Sequence, residues 1–430
     1  MNDPRRLAVE TLQNILENKR FFNEIKKEEA FSAQKEQAFL NMLILTALRR
    51  LIFLQKVISV FAAKKLPDKH AFARYALILA AAELLFLETP DYAVLNSYVN
   101  LVKKQNDKYV AGFVNAVLRK IAAAKEELLN ADTGVFLPES FRRLLQNDYT
   151  AEQISHIEAA AINETPLDLT IKNNPEFWAE KLNGTLLPNG TVRLESTGKI
   201  ENLSGYKEGS WWVQDFSASL AAMALSKPQN KNILDLCAAP GGKTAQLLVA
   251  GAQVTSLDIS EDRLKTLSEN IRRLQLPTPR ILCADALDYL ENTTDAYDAV
   301  LLDAPCSATG TLRRHPEIVH IKKAADIQKM AALQKQILEK ISKIIKTGGE
   351  LVYCTCSIAK SEGEHQIKAF LQQHAEFRVI PLSAGKFLSF SGQLPDDMFM
   401  REGFVRTLPY HLSAQGGADS FFIAKLQKVK

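Results

Sequence analysis

The chain has 430 residues, 47% of them hydrophobic, which is too long for one ordinary domain and sufficient for two or three globular cores. No apolar run is long enough to cross a bilayer, and the N-terminal residues lack the pattern of a secretion signal, so membrane and exported proteins are disfavoured. The five cysteines are odd in number and form no Cys-x-x-Cys pair, which favours free thiols in the cytoplasm and argues against a zinc site.

The positive charge is concentrated at the start of the chain. The net charge is +4, yet residues 1–135 hold 20 lysines and arginines against 15 acidic residues, while residues 136–430 hold 33 against 34. A basic segment of this kind is typical of a protein that meets a polyanion such as RNA, although a solvated helical surface produces the same pattern.

Hydrophobic periodicity predicts helices throughout the first 130 residues. Apolar side chains at spacings of three and four fall on one face in the stretches 7–15, 40–51 and 110–121. Pro90 ends one predicted helix, and the next begins at Ala93.

Several short motifs in this segment resemble the NusB-type RNA-binding domain, which is an α-helical bundle. They are Arg5 with Ala8 and Leu12, Thr46-Ala47-Leu48-Arg49, Glu83-Leu84, Pro90 with Val94-Leu95-Asn96, and Phe113-Val114-Asn115-Ala116-Val117-Leu118-Arg119. The resemblance implies contact between a basic edge and RNA, with candidate phosphate contacts at Arg5, Arg6, Arg49, Arg50 and Lys104.

The next hundred residues predict a small α+β module. Phe136-Leu137-Pro138 is typical of a linker, residues 139–164 form a helical run, and residues 167–172, 192–194 and 211–215 have the alternation of strands. Trp211 and Trp212 are able to stack on RNA bases, but paired strand tryptophans are more typical of a core, so we expect them to be buried.

From residue 232 onward, predicted strands alternate with helices. The strands are 233–237, 253–258, 280–284, 298–303 and 350–356, which indicates an α/β fold with a parallel sheet covered on both faces. The first strand runs into Pro240-Gly241-Gly242 and then a helix, a turn that brings bare backbone and a helix N-terminus close to a ligand.

The composition of this turn narrows the ligand class. It lacks the Gly-x-Gly-x-x-Gly of dinucleotide sites, and Cys237 stands where a phosphate-binding P-loop needs glycine. The remaining ligand is a nucleoside without a pyrophosphate, such as S-adenosylmethionine, held by Cys237-Ala238-Ala239-Pro240-Gly241-Gly242-Lys243.

An acidic residue ends each of the next two predicted strands. A carboxylate at Asp258 is able to accept hydrogen bonds from both ribose hydroxyls, and one at Asp285 from the adenine amino group. Each acid is also placed to cap the helix that follows it. Because both follow the glycine turn in strand order, we predict that they bind the cofactor.

Two later strands end in residues suited to the chemistry of cytosine. C5 of cytosine attacks a sulfonium methyl group only after a thiolate has added to C6. An acid near N3 stabilises the charge that develops, and a second group must then remove the C5 proton. Asp303-Ala304-Pro305-Cys306-Ser307 and Tyr353-Cys354-Thr355-Cys356-Ser357 supply such groups, although two small buried cysteines are the alternative. Cys354 and Cys356 share a strand face, so the pattern does not choose between them.

These motifs, with residues 235–244, resemble the RNA cytosine-C5 methyltransferases of the Nol1/Nop2/Sun type from about residue 214 onward. The resemblance implies S-adenosylmethionine as cofactor, Cys356 as nucleophile, Cys306 as an aid to product release, and Asp303 beside the base and the cofactor. Joined to the NusB-like segment, it implies 16S rRNA as the substrate. The chain departs from the family pattern at Cys354, in the loose segment 169–173, and at Ala418 and Ser420, which replace glycines.

We therefore predict three domains: a NusB-like bundle (1–130), a small α+β module (131–228) and an S-adenosylmethionine-dependent, Rossmann-like methyltransferase domain (229–430). We expect a cytoplasmic monomer without a metal ion. Three alternatives stay open: a non-catalytic RNA-binding or assembly factor, methylation of another RNA such as tRNA, and a DNA cytosine methyltransferase with Cys306 as its nucleophile. The presence of both cysteines and all three acids disfavours the first.

Overall fold

The computed structural model describes residues 3–28, 34–62, 64–105, 108–195 and 198–430. The chain folds into two compact units, one of Met1–Asn163 with Leu312–Lys322 and the other of Glu164–Thr311 with Lys323–Lys430. The three-domain division predicted from the sequence is retained as a proposal. None of the helices within the described residues is long and apolar enough to span a bilayer.

The first unit is helical, as the periodicity of the sequence predicts. Its helices are α1 Pro4–Asn18, α2 Phe22–Glu28, α3 Gln34–Arg49, α4 Leu51–Phe61, α5 Ala71–Phe86, α6 Asp91–Lys104, α7 Lys108–Ala123, α8 Lys125–Asn130, α9 Glu139–Gln146, α10 Ala151–Ala161 and, from later in the chain, α16 Ile318–Ile321. The predicted helicity of residues 1–2, 29–33, 63 and 106–107 lies outside the described residues. Residues 76–85 of α5 are buried on every side, so this helix forms the centre of the core.

Two local expectations for residues 136–164 are wrong. The predicted linker residues Phe136 and Leu137 are buried, and their backbone N–H groups donate to the Glu158 carboxylate at 2.8 Å each. The predicted single helical run is two helices, because Thr150 caps α10 and exchanges hydrogen bonds with Gln153 in a capping box.

The second unit begins with a small antiparallel sheet. Its elements are β1 Leu167–Ile171, α11 Pro175–Lys181, β2 Thr185–Leu186, β3 Val192–Leu194 and β4 Trp211–Val213, and the strand order is β2-β3-β1-β4. Both tryptophans are buried, as expected; Trp211 packs in the core of this sheet, and the Trp212 indole donates to Gln214.

A large mixed sheet forms the rest of this unit. Its elements are α12 Phe216–Met223, β5 Asn232–Leu236, α13 Gly242–Val249, β6 Gln253–Asp258, α14 Glu261–Arg273, β7 Arg280–Cys283, α15 Ala286–Asn292, β8 Tyr297–Asp303, α17 Ala324–Ile341, β9 Ile345–Thr355, α18 Glu364–Gln373, β10 Phe377–Val379, β11 Val405–Thr407 and β12 Phe421–Lys428. The strand order is β10-β12-β9-β8-β5-β6-β7, with β11 paired to β12.

The five predicted strands form the parallel part of this sheet, β5 to β9, whereas β10, β11 and β12 add an antiparallel edge that the sequence analysis did not predict. Alternate residues of each strand face opposite cores, as the two-residue period requires; Ile233, Leu301 and Val352 face one core, and Leu234, Leu302 and Tyr353 face the other. The chain runs outward from β5 to β7 and then returns to β8 on the other side of β5. The carboxyl ends of these strands therefore meet at a topological switch point, where ligands bind in such sheets.

Candidate active site

The turn after β5 is shaped by residues with left-handed backbone. Cys237 has φ 64° and Gly241 has φ 100°, and a Cβ atom on Gly241 would lie 2.8 Å from Cγ of Leu267. Only glycine accommodates both the positive φ and the close approach of Leu267 at position 241 without strain. The backbone N–H of Ala238 donates to Leu257 of β6 at 3.0 Å, so the turn is fastened to the neighbouring strand before α13 begins at Gly242.

A cavity of about 470 Å³ opens beside this turn at the carboxyl edge of the sheet. It is lined by Cys237, Leu257, Asp258, Ile259, Arg263, Ala284, Asp285, Ala286, Leu287, Asp303, Ala304, Pro305, Cys306, Ala308, Leu333, Ile337 and Cys356. All three predicted acids and both predicted catalytic cysteines thus lie around one space, whose size suits a small-molecule ligand. Of the predicted turn residues, Cys237 lines the cavity, while the stretch 238–243 lies outside that lining.

Asp258 is held by the glycine turn. It is buried, its Oδ2 accepts from the Ala239 N–H at 3.1 Å, and its Oδ1 accepts from the Ser260 N–H at 3.0 Å. The half-exposed Arg263 lies 3.5 Å from Oδ2 and also donates to the Ala239 carbonyl. The cap of α14 is Ser260 rather than Asp258, so helix capping does not explain this acid.

Asp285 combines the two roles that the sequence left open. Its Oδ1 caps α15 by accepting from the N–H groups of Leu287 at 2.8 Å and Asp288 at 3.2 Å. The residue nevertheless lines the cavity, so capping orients its carboxyl group toward the rim of the candidate site.

Asp303 is paired with a lysine from the glycine turn. Nζ of Lys243 donates to Oδ2 of Asp303 at 2.7 Å and lies 5.1 Å from the centre of the Phe421 ring. Burial, the largest single cause, lowers the pKa of Lys243, but the charge of Asp303, the hydrogen bond to Asp303 and the other nearby acidic groups together outweigh burial, so the pKa is raised overall. Lys243, which the sequence assigned to the cofactor, therefore stays a cation directed at Asp303.

The two sulfur atoms of Cys306 and Cys356 are 3.4 Å apart. The hydrogen bond to Cys356, followed by burial, raises the pKa of the Cys306 thiol well above its ordinary value. The Cys306 thiol therefore holds its proton in this pair.

Exposure separates Cys354 from Cys356. Cys354 is fully buried, and burial followed by the charge of Asp303 raises the pKa of its thiol well above the ordinary value. Cys356 lies just beyond the end of β9 and lines the cavity. The strand pattern left these two cysteines equivalent, and only Cys356 is accessible to a ligand.

Ile259 and Arg263 belong to the part of the cavity wall that the sequence pattern does not predict. Ile259 is 67% exposed and lines the cavity directly after Asp258, which gives an apolar surface beside a carboxylate. Arg263 holds both Asp258 and the turn, as described above. The available signal was position: an apolar residue directly after the strand-end acid, and an arginine in the first turn of the next helix.

The candidate phosphate contacts of the helical unit differ in their accessibility. Arg5 pairs with the buried Glu83 at 2.6 Å, Arg49 is buried and donates to the Arg313 carbonyl at 3.2 Å, and Arg50 pairs with Asp132. Arg6 and Lys104 have exposed side chains, and Arg6 makes a surface pair with Glu10 one helical turn away. Among the five candidates, these two are therefore the most available to RNA.

Comparison with known protein families matches both parts of the chain. Residues 222–427 match the model of the 16S rRNA methyltransferase RsmB/F family. Residues 2–123 match the model of the NusB family.

Three curated proteins similar to this chain carry the name ribosomal RNA small subunit methyltransferase B. The protein from Serratia proteamaculans is 34% identical over 374 residues, which cover 81% of this chain and 85% of that protein. The protein from Escherichia coli K12 is 33% identical over 399 residues, with 86% and 90% covered. The protein from Vibrio cholerae is 33% identical over 365 residues, with 80% and 83% covered.

Solved structures share the fold. The crystal structure of PH0851 matches 100% of this chain and 99% of its own, with a TM-score of 0.75 and 22% identity. The structure of NSun6 from Pyrococcus horikoshii with SFG matches 69% of this chain and 99% of its own, with a TM-score of 0.58 and 20% identity.

Proposed function

This chain belongs to the 16S rRNA methyltransferase RsmB/F family, and from that premise we propose that it methylates C5 of a cytosine in 16S rRNA. S-adenosylmethionine is the methyl donor of this class of enzyme. One observation carries the proposed chemistry: the sulfurs of Cys306 and Cys356 lie 3.4 Å apart in the cavity that Asp258, Asp285 and Asp303 also line.

The cavity fits the cofactor. Asp258 presents a buried carboxylate for the ribose hydroxyls, Asp285 lies on the rim for the adenine amino group, and the exposed Ile259 offers an apolar surface to the adenine ring. When bound there, S-adenosylmethionine supplies an electrophilic methyl group to the activated C5.

Cys356 begins the reaction as the nucleophile. Its thiolate adds to C6 of the cytosine, a sulfur–carbon bond forms, and the electron pair of the C5–C6 double bond makes C5 nucleophilic. The target base must first leave its stack to reach the cavity. Lys243 and Asp303 form a pair beside the reacting base, and a proton held by this pair meets the negative charge that develops toward N3.

Cys306 acts at the release of the product. The largest influence on the pKa of Cys306 is its hydrogen bond to Cys356, and this influence ends once Cys356 is bonded to C6. Burial still favours the protonated thiol, but with the largest influence removed Cys306 loses its proton to solvent and takes the proton from C5. The C5–C6 double bond re-forms, the sulfur–C6 bond breaks, and the pair returns to one thiol and one thiolate.

Substitution of each cysteine tests these roles. Cys356→Ala should abolish methylation of 16S rRNA and form no covalent protein–RNA complex. Cys306→Ala should attack the base but release the product slowly, which leaves a denaturant-resistant complex on a gel. Cys356→Ala added to Cys306→Ala should eliminate this complex, while Cys354→Ala, as the control, should stay active.

A covalent complex that survives the loss of Cys356 would overturn the assignment, and so would a Cys306→Ala enzyme that cannot attack. Methylation of DNA that needs Cys306 and not Cys356 would favour the DNA-modifying alternative. If tRNA is methylated and 16S rRNA is not, the chemistry stands and the substrate changes.

We also propose that the enzyme acts as a cytoplasmic monomer. All five cysteines are free, as in a reducing compartment, and matches to an RNA-binding family and a methyltransferase family lie on one chain. Light scattering of the purified protein should give the mass of one chain, and a dimer would contradict this expectation.

A further inference from the structure

A buried carboxylate outside the cavity lining joins the segments that carry the two cysteines. Glu362 lies in the short 3-10 turn Lys360–Glu362 and is fully buried. Its Oε1 accepts from the Ser307 N–H at 2.9 Å and from Nε2 of Gln334 at 3.0 Å. Its Oε2 accepts from the hydroxyls of Ser307 and Ser357 at 2.5 Å each. Four donors match the accepting capacity of one carboxylate.

Two of the donor residues are sequence neighbours of the two catalytic cysteines. Ser307 directly follows Cys306, and Ser357 directly follows Cys356. Gln334 also donates to the carbonyl of Pro305, the residue before Cys306, at 2.9 Å. Glu362 thus connects the segment that carries Cys306 to the segment that carries Cys356.

The turn that bears Glu362 is itself fixed to the end of β9. The backbone carbonyl of Glu362 accepts from the hydroxyls of Tyr353 at 2.8 Å and Thr355 at 3.2 Å. The backbone adds two further ties between the two segments, because the Ala304 N–H donates to the Cys354 carbonyl and the Gly310 N–H donates to the Cys356 carbonyl, at 2.9 Å each. The Thr309 hydroxyl also lies 3.1 Å from the Ser357 hydroxyl. The carboxylate therefore acts together with these bonds to set how far apart the two segments lie.

We propose that Glu362 is a positioning residue, which holds the sulfurs of Cys306 and Cys356 at the separation that attack and release require. The inference deepens the proposed function and rests on the roles given there to the two cysteines. Glu362 acts through Ser307 and Ser357 and does not touch the substrate.

Glu362→Gln is the direct test. Glutamine keeps the shape but offers one accepting oxygen, so about half of the four donors lose their acceptor. A displacement of the cysteine segments by about 1 Å is expected to lower kcat by about 100-fold. The KM values for 16S rRNA and S-adenosylmethionine should change by less than about twofold, because the cofactor carboxylates and the RNA-binding unit are untouched.

Two further measurements separate positioning from general stability. If Glu362 acts through the serines, then Glu362→Gln added to Ser307→Ala/Ser357→Ala should reduce kcat little further. The matched control is Glu350→Gln, which removes another buried carboxylate in the middle of β9, where Glu350 accepts from the Ser226 N–H at 2.9 Å. This control should leave kcat unchanged even if it lowers the melting temperature.

A kcat within about threefold of wild type for a folded Glu362→Gln protein would overturn the inference, as would losses from Glu362 and the serines that simply multiply. If Glu362→Gln does not fold, Ser307→Ala/Ser357→Ala carries the test: a marked fall in kcat at unchanged KM supports positioning, and wild-type kcat overturns it. Failure of the wild-type protein to methylate RNA would overturn the proposed function and this inference together. A normal wild-type enzyme with an unaffected Glu362→Gln variant would overturn this inference alone.

Discussion

Ionisation of Asp235 should make the stability of this protein depend on pH near neutrality. The residue lies within β5, is fully buried, and its Oδ2 accepts from the Thr244 hydroxyl at 2.6 Å. Burial raises the pKa of Asp235 from 3.8 to about 7; Thr244 and Lys243 lower it, and the charges of Asp303 and Asp258 raise it. The folded protein therefore holds this proton more tightly than the unfolded chain does.

The sign of the effect follows from proton linkage. Between the unfolded and folded pKa values the folded state binds more protons, so the free energy of unfolding falls as pH rises through this window. The full difference of about three units corresponds to about 4 kcal/mol, which is lost once the pH is well above 7. Asn cannot ionise, and its side-chain oxygen is still able to accept from Thr244. Asp235→Asn should therefore lack this part of the pH dependence.

Urea unfolding of wild type and Asp235→Asn at about pH 5 and about pH 9 measures the effect. Titrating groups that do not interact with Asp235 contribute equally to both proteins, so the difference between them isolates Asp235 and its charged neighbours. It should move in favour of the variant by about 3 kcal/mol across this range, because the part of the titration window below pH 5 is not sampled. Asp262→Asn, a change of a surface carboxylate, is the control and should run parallel to wild type. Parallel curves for Asp235→Asn and wild type would refute the reasoning.

Two further predictions concern the ligands. Asp258→Ala should weaken S-adenosylmethionine binding by about 1.5–3 kcal/mol in calorimetry, since a charged acceptor is lost; the exposed Asp262→Ala is the control, and unchanged affinity would remove Asp258 from the site. Arg6→Ala/Lys104→Ala should reduce the slope of RNA affinity against salt by about 0.7 for each lost phosphate contact. Arg280→Ala, at the start of β7, is the control and should keep the wild-type slope. A wild-type slope in the double variant would contradict the phosphate contacts.

The sequence alone determined the elements, because their signals are local. Proline and glycine interrupt the chain where helices end, and the periods of 3.6 and 2 residues distinguish the bundle from the sheet. Apolar strands that alternate with helices specify a parallel sheet, and the right-handed crossovers of such sheets bring the strand ends to one edge. Asp258, Asp285, Asp303, Cys306 and Cys356 could therefore be assigned to one site before their contacts were known.

Local signals were insufficient where a contact joins distant parts of the chain. The antiparallel edge of the sheet was missed because β10 to β12 are short or lie among irregular segments, and their pairing depends on β9 rather than on their own pattern. The sequence predicts a linker at Phe136 because Pro138 is typical of one, whereas in the fold the backbone of this segment donates to the Glu158 carboxylate.

Tertiary structure also decided the chemistry within the site. Cys354 and Cys356 have equivalent positions in the strand pattern, and burial under the neighbouring strands separates a sealed thiol from an accessible one. Lys243 donates to Asp303, 60 residues away in the chain, because a buried cation requires a partner. Glu362 has no motif of its own. Its role depends on two serines whose hydroxyls donate to one carboxylate. Local sequence patterns do not show which side chains meet in the fold.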